Sequence, residues 1–269
     1  MSVDVSDQGR PAADGSPRRS VAVALGLGVL GPVLAVIGAV GVALADAALG
    51  LPLAVTLALG LISGQYVAFA GLALVYLRYR GLDWAGVREY LGIEVPSLGE
   101  LGLVVAGWVA IFTLIVVAGL LVQLLGLQPA QNQTSETAMQ NPGLILPLIA
   151  AMFLVVGPCE EILYRGIVQN RLRESLSAVP SILITAAVFA TVHVMALSGG
   201  AGARLTTIAL LLIPSLVLGA IYEYTGNLVV SALLHAIHNS VLLGLLYVVV
   251  RFADELPSDP GTAAALLPL

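Results

Sequence analysis

Lysine is absent from this chain of 269 residues: all eleven basic residues are arginines, and only 10% of positions carry a charge. Soluble domains are charged at roughly 25% of positions, so a water-facing globule is excluded. A single cysteine, Cys159, excludes an internal disulfide. Sixteen acidic residues outnumber the arginines, and the basic face that a nucleic-acid partner demands is missing. Histidine is also scarce, with three in all. What the chain has in abundance is apolar surface, with 59% hydrophobic residues and a mean hydropathy of +1.01. These figures describe an integral membrane protein.

Residues 1–20 are polar and rich in Asp, Ser, Pro and Gly, a composition that buries too little surface to fold, and a disordered tail is expected there. The apolar run that follows Arg18 and Arg19 is too long for a signal-peptide core and predicts a retained span. Further runs at 53–77, 101–126, 144–172, 179–197, 206–222 and 227–251 complete seven spans of an all-α transmembrane bundle. The chain thus divides into N-terminal helices over 21–126, with an interfacial segment or plain loop at 78–97, an external loop at 127–143, a core at 144–251 and a loose acidic tail at 252–269. Nine arginines fall on one side of this arrangement, and only Arg204 and Arg251 on the other. Basic residues collect in cytoplasmic loops, which predicts a cytoplasmic N-terminus and an external C-terminus. Residues Asn132, Gln133 and Thr134 form a glycosylation pattern in the external loop. Rows of small residues, Gly31, Ala35, Ala39 and Ala43, then Gly60, Gly64 and Ala68, are expected to pack helices within the molecule, with a dimer face as the alternative.

Glu160 and Glu161 interrupt one of the apolar runs. Each ionised carboxylate in a bilayer costs on the order of 2.5 kcal/mol or more, so such residues mark reaction or ion pathways. On a helix Glu161 and Arg165 share a face, while Glu160 is turned about 100° away. Arg165 can then neutralise Glu161 and leave Glu160 for other work; a charged pair snorkelling to the surface is the alternative. Pro158 removes a backbone hydrogen bond just upstream and is expected to kink the helix and open room for water.

The motifs Phe189-x-x-x-His193 and His235-x-x-x-Asn239 each set their outer residues on one helical face. All three histidines lie in spans, where polar groups are expensive. If spans four and five form a hairpin turning at 174–178, Glu160 and His193 sit at equal depth, roughly 20 Å from the turn. His238 reads best as a polar residue facing a cavity. Cys159 reads as a small buried hydrophobe rather than a nucleophile, because a thiolate beside two carboxylates is discouraged.

Taken in order, E-E-x-x-x-R, F-x-x-x-H and H-x-x-x-N over residues 145–245 resemble the three motifs of the CAAX protease and bacteriocin-processing (CPBP, or Abi) family of intramembrane proteases. The resemblance implies a water activated by Glu160 and His193, an oxyanion hole of His235 and Asn239, and orienting roles for Glu161 and Arg165. It also implies a peptide or protein substrate, lipidated on a CaaX-type tail or not, and a place in the cell membrane among its lipids. The family is often named as metalloproteases, and Glu160, His193 and His235 together make a zinc-type ligand set. A divalent metal such as zinc and a metal-free glutamate mechanism both stay open at this point. So do two other classes, a proton- or ion-coupled transporter and a non-catalytic scaffold. The transporter reading lacks a second, repeated acidic half in spans one to three.

Overall fold

The structure, a computed structural model, describes residues 16–252. The expectations for the polar tail before residue 16 and for the acidic tail after 252 fall outside the described residues. Among the described residues seven helices are long and apolar enough to cross a membrane: α1 (Pro17–Leu49), α2 (Leu53–Tyr79), α4 (Leu98–Leu124), α6 (Pro142–Arg173), α7 (Ala178–Ala196), α8 (Ala201–Thr225) and α9 (Leu228–Arg251). Two short helices, α3 (Trp84–Leu91) and α5 (Gln133–Gln140), join them. The only sheet among the described residues pairs β1 (Gln131–Asn132) with β2 (Leu197–Ser198), antiparallel. The all-α bundle of seven spans expected from hydropathy is thus observed.

The first helix begins before the polar-to-apolar boundary. Pro17 occupies its first turn, where a missing N–H costs nothing, and Ser20, expected in the tail, is fully buried. The small-residue rows are used only in part. A Cβ on Gly31 would lie 2.5 Å from Leu163 Cδ2, and one on Gly64 3.7 Å from Ala35, so α1, α2 and α6 meet at these positions. Ala39 and Ala43 instead face outward, and Gly38 takes up the contact with Ser63. A four-residue step overshoots the 3.6-residue turn by about 40°, so a row at that spacing rotates off the interface after two steps.

The segment 78–97 is ordered by its own chemistry. Asp83 caps α3 by accepting from Gly86 N–H at 2.8 Å, and Gly92 ends it in the left-handed region at φ 64°. Val87 and Leu91 are buried against Ile167, Tyr222 and Leu228, whereas Trp84 remains exposed. Beneath α3 lies an ion-pair network: Glu174 accepts from Arg80 at 2.7 Å and from Arg171, and Arg173 pairs with Glu223 at 2.8 Å. Burial, reinforced by the Glu174 charge, raises the Tyr90 phenol far above its ordinary range, so it stays a neutral donor to Glu174. This network ties the end of α6 and the α6–α7 turn to Arg80 and to α8, and that turn falls at residues 174–177, within the range the depth argument used.

Residues 127–143, expected as an external loop, carry β1 and α5. The Asn132 side chain accepts from Thr134 N–H at 2.8 Å and caps α5. Ala130 is pinned on both sides by Thr207, which donates to its carbonyl at 3.1 Å and accepts from its N–H at 2.8 Å.

Candidate active site

Proline and π-helical turns shape the site helix. Within α6 a short α-helical stretch, Gly157–Glu161, lies between π-helical turns at Met152–Val156 and Ile162–Gln169. Such turns accompany functional sites because the extra residue re-aims side chains. Pro158 has no N–H for the Leu154 carbonyl four residues back, and the Tyr66 hydroxyl donates to that carbonyl at 2.9 Å instead. A Cβ on Gly157 would stand 3.0 Å from the Ala232 carbonyl oxygen, so glycine lets α6 and α9 approach closely beside the carboxyl pair.

Glu161 and Arg165 form a fully buried ion pair at 2.6 Å, each with 0% exposure. The snorkelling alternative is thereby overturned: Arg165 also donates to the Ser215 carbonyl at 3.0 Å and hydroxyl at 2.9 Å, and its guanidinium lies 5.0 Å from the Phe189 ring centroid. These bonds from α8, together with the ring of α7, keep the cation away from the surface. Glu161 reaches a third element as well, accepting from His235 Nδ1 of α9 at 2.9 Å. Four helices therefore share one charge cluster.

Glu160 points away from that pair, as the 100° rotation predicts. Its Oε1 accepts from Gln65 Nε2 of α2 at 3.1 Å, and its Oε2 stands 3.8 Å from His235 Nε2. His193 ends the regular part of α7, with Nδ1 2.6 Å from the Phe189 carbonyl. A carbonyl only accepts, so Nδ1 carries a proton and a neutral ring keeps its lone pair on Nε2. Phe189 packs against both histidines, with ring centroids 4.5 Å from His193 and 5.9 Å from His235. Asn239, one turn beyond His235, donates to the soft Met152 sulfur at 3.7 Å.

Glu160, His193, His235, His238 and Asn239 all line one cavity of about 870 Å³. The cavity runs between apolar walls such as Leu120, Leu211 and Leu242 toward β1 and the start of α5. It has the size and the few convergent polar groups of a substrate site. His238 is buried and faces this cavity, in keeping with the sequence reading. Cys159 is 1% exposed, packs with Phe69 and Tyr164, and is not among the cavity-lining residues. Among the described residues no three His, Cys, Asp or Glu side chains converge closely enough to hold a metal ion.

Gln65 escaped the sequence reading. Its signal was that of a lone primary amide inside an apolar span, the kind of polar residue that needs a partner in a membrane. Ser215 escaped for the same reason.

Comparison with known proteins bears on this region. No curated protein and no solved structure shows significant similarity to the chain. A family model described as Type II CAAX prenyl endopeptidase Rce1-like matches residues 142–241, which contain all three motifs. The stretch holding the polar cluster is thus similar to the Rce1-like type II CAAX prenyl endopeptidases, a family of intramembrane proteases, and the resemblance carried by the three motifs is borne out over those residues.

Proposed function

We propose that the protein is an intramembrane endopeptidase in which Glu160 activates water and His235 with Asn239 receives the oxyanion. The observation that carries this reading is one cavity lined together by a carboxylate, two imidazoles and a side-chain amide from three helices. Peptide hydrolysis needs a base for water, donors for the developing oxyanion and a proton for the leaving amine.

Glu160 takes one proton from water while the oxygen attacks the peptide carbonyl carbon. His193 Nε2, with its lone pair toward the cavity, accepts the second water hydrogen as a hydrogen bond and orients the attack. The carbonyl electron pair moves onto oxygen, where the Asn239 amide donates, joined by His235 Nε2–H when that ring carries both protons. Glu161 holds His235 through Nδ1, and Arg165 balances the Glu161 charge. Collapse of the intermediate breaks the C–N bond, and the Glu160 proton passes to the departing amine.

The reaction is proposed without a metal. Among the described residues Glu160, His193 and His235 do not come close enough together to form a ligand set. The substrate implied by the family resemblance is a CaaX-type tail, lipidated at its cysteine, and the leucine-rich cavity walls suit an apolar peptide or lipid segment. Purified protein in detergent or liposomes is expected to cleave such a peptide, and Glu160→Ala and His193→Ala to abolish cleavage while remaining folded. Equal cleavage by wild type and both variants rejects the assignment. Ion flux into liposomes lost in Glu160→Ala, with no peptide cleaved, establishes transport instead.

A further inference from the structure

We infer that Gln65 is a positioning residue for Glu160, contributed by a helix outside the family-matched segment. The inference rests on the protease reading of Glu160 given above. Gln65 lies on α2, within a π-helical turn spanning Ile62–Gly71. On that turn Ala68, Phe69 and Ala70 are buried in succession against the core, a run that a regular helix turns partly outward. The same turn presents two consecutive residues to the site helix. Tyr66 takes the Leu154 carbonyl left without a donor by Pro158, and Gln65 Nε2 donates to Glu160 Oε1 at 3.1 Å.

The direction of the Gln65 contact follows from chemistry. Glu160 as an ionised base has only acceptors, so the amide must offer its NH₂ and not its oxygen. Occupying Oε1 leaves Oε2, the oxygen nearer His235, as the proton acceptor. A carboxylate free to rotate about its last torsion presents either oxygen to water, and fixing one of them preorganises the base. No other hydrogen bond to Glu160 is found among the described side chains, apart from the long approach of His235. Gln65 also lines the cavity, so its amide stands where the reacting groups meet.

Gln65→Met keeps the length and most of the volume but removes the donor. The probe is a quenched fluorogenic peptide with a farnesylated CaaX tail, alongside its unlipidated counterpart, and the enzyme is the full chain in nanodiscs. Hydrogen bonds to charged groups translate into about 10- to 100-fold in rate when lost. The expected result is a kcat lower by about that factor, a KM within about twofold, and an unchanged thermal transition. A residue that merely packs shifts the thermal transition or KM and leaves kcat alone, and that outcome overturns the proposal. An independent readout needs no turnover: the infrared carboxylate band assigned to Glu160 by its loss in Glu160→Gln should shift in Gln65→Met. An unshifted band overturns the contact even if no peptide is cleaved. Absence of cleavage by wild type with a shifted band refutes the protease reading, and the positioning role falls with it.

Discussion

Removing Arg165 tests the energetic logic of the cluster most directly. Arg165→Met replaces the guanidinium with an apolar chain and strands the Glu161 carboxylate, which has 0% exposure, without its cation. Breaking a buried ion pair on one side costs about 3–5 kcal/mol, and the two bonds to Ser215 are lost as well. At about 2–4 °C per kcal/mol for a chain of this size, the thermal transition should fall by roughly 6–20 °C. The double variant Glu161→Gln/Arg165→Met removes both charges, so most of that loss should be recovered. Activity should not return, because His235 then faces a neutral amide instead of the carboxylate that holds Nδ1. Tryptophan fluorescence during heating in detergent micelles reads the stability, and peptide cleavage reads the chemistry. If the single variant melts within a degree or two of wild type, or the double variant is as unstable as the single, the account of the pair as a charge-balanced positioning device is wrong.

Other outcomes follow from the same geometry. Gly92→Ala forces a Cβ to 1.7 Å from the Gly226 carbonyl oxygen at a left-handed φ. It should cost at least about 2 kcal/mol, whereas Gly226→Ala, also left-handed but with open space around its Cβ position, should cost about 1 kcal/mol; comparable melting of the two variants contradicts this packing. Cys159→Ala should retain full cleavage in a direct comparison of kcat, since the thiol lies in the apolar cluster with Phe69 and Tyr164; a thousandfold loss would revive a thiol nucleophile. Dialysis against a strong chelator, followed by metal analysis, should leave activity intact; loss restored by zinc would refute the metal-free reaction.

The spans were legible because hydropathy is a local property and a bilayer imposes one length scale on every helix. The pairing of Glu161 with Arg165 was legible for a similar reason, as a four-residue spacing on one helix becomes a contact wherever that helix goes. Other features depend on residues far apart in the chain. The contact of Gln65 with Glu160 spans 95 positions, and β1 exists only because Leu197 and Ser198 arrive beside it. The guanidinium of Arg165 looked capable of snorkelling because its partners on α7 and α8, Phe189 and Ser215, are anonymous in sequence. The start of α1 was missed for a different reason: composition marks Pro17 as tail, while its backbone chemistry suits a helix start.

The cavity ends near β1 and α5, whereas the ion pairs of Arg80, Arg171 and Arg173 lie by the α6–α7 turn at the other end of those helices. This polarity ties catalysis to topology. Were the arginines held inside, the cavity would open on the external side; were they held outside, it would open to the cytosol, where a CaaX-type tail is lipidated. Labelling a cysteine placed at the exposed Gln131 with a membrane-impermeant reagent thus reports more than orientation, because the face that reacts names the population of polypeptides this chamber can sample.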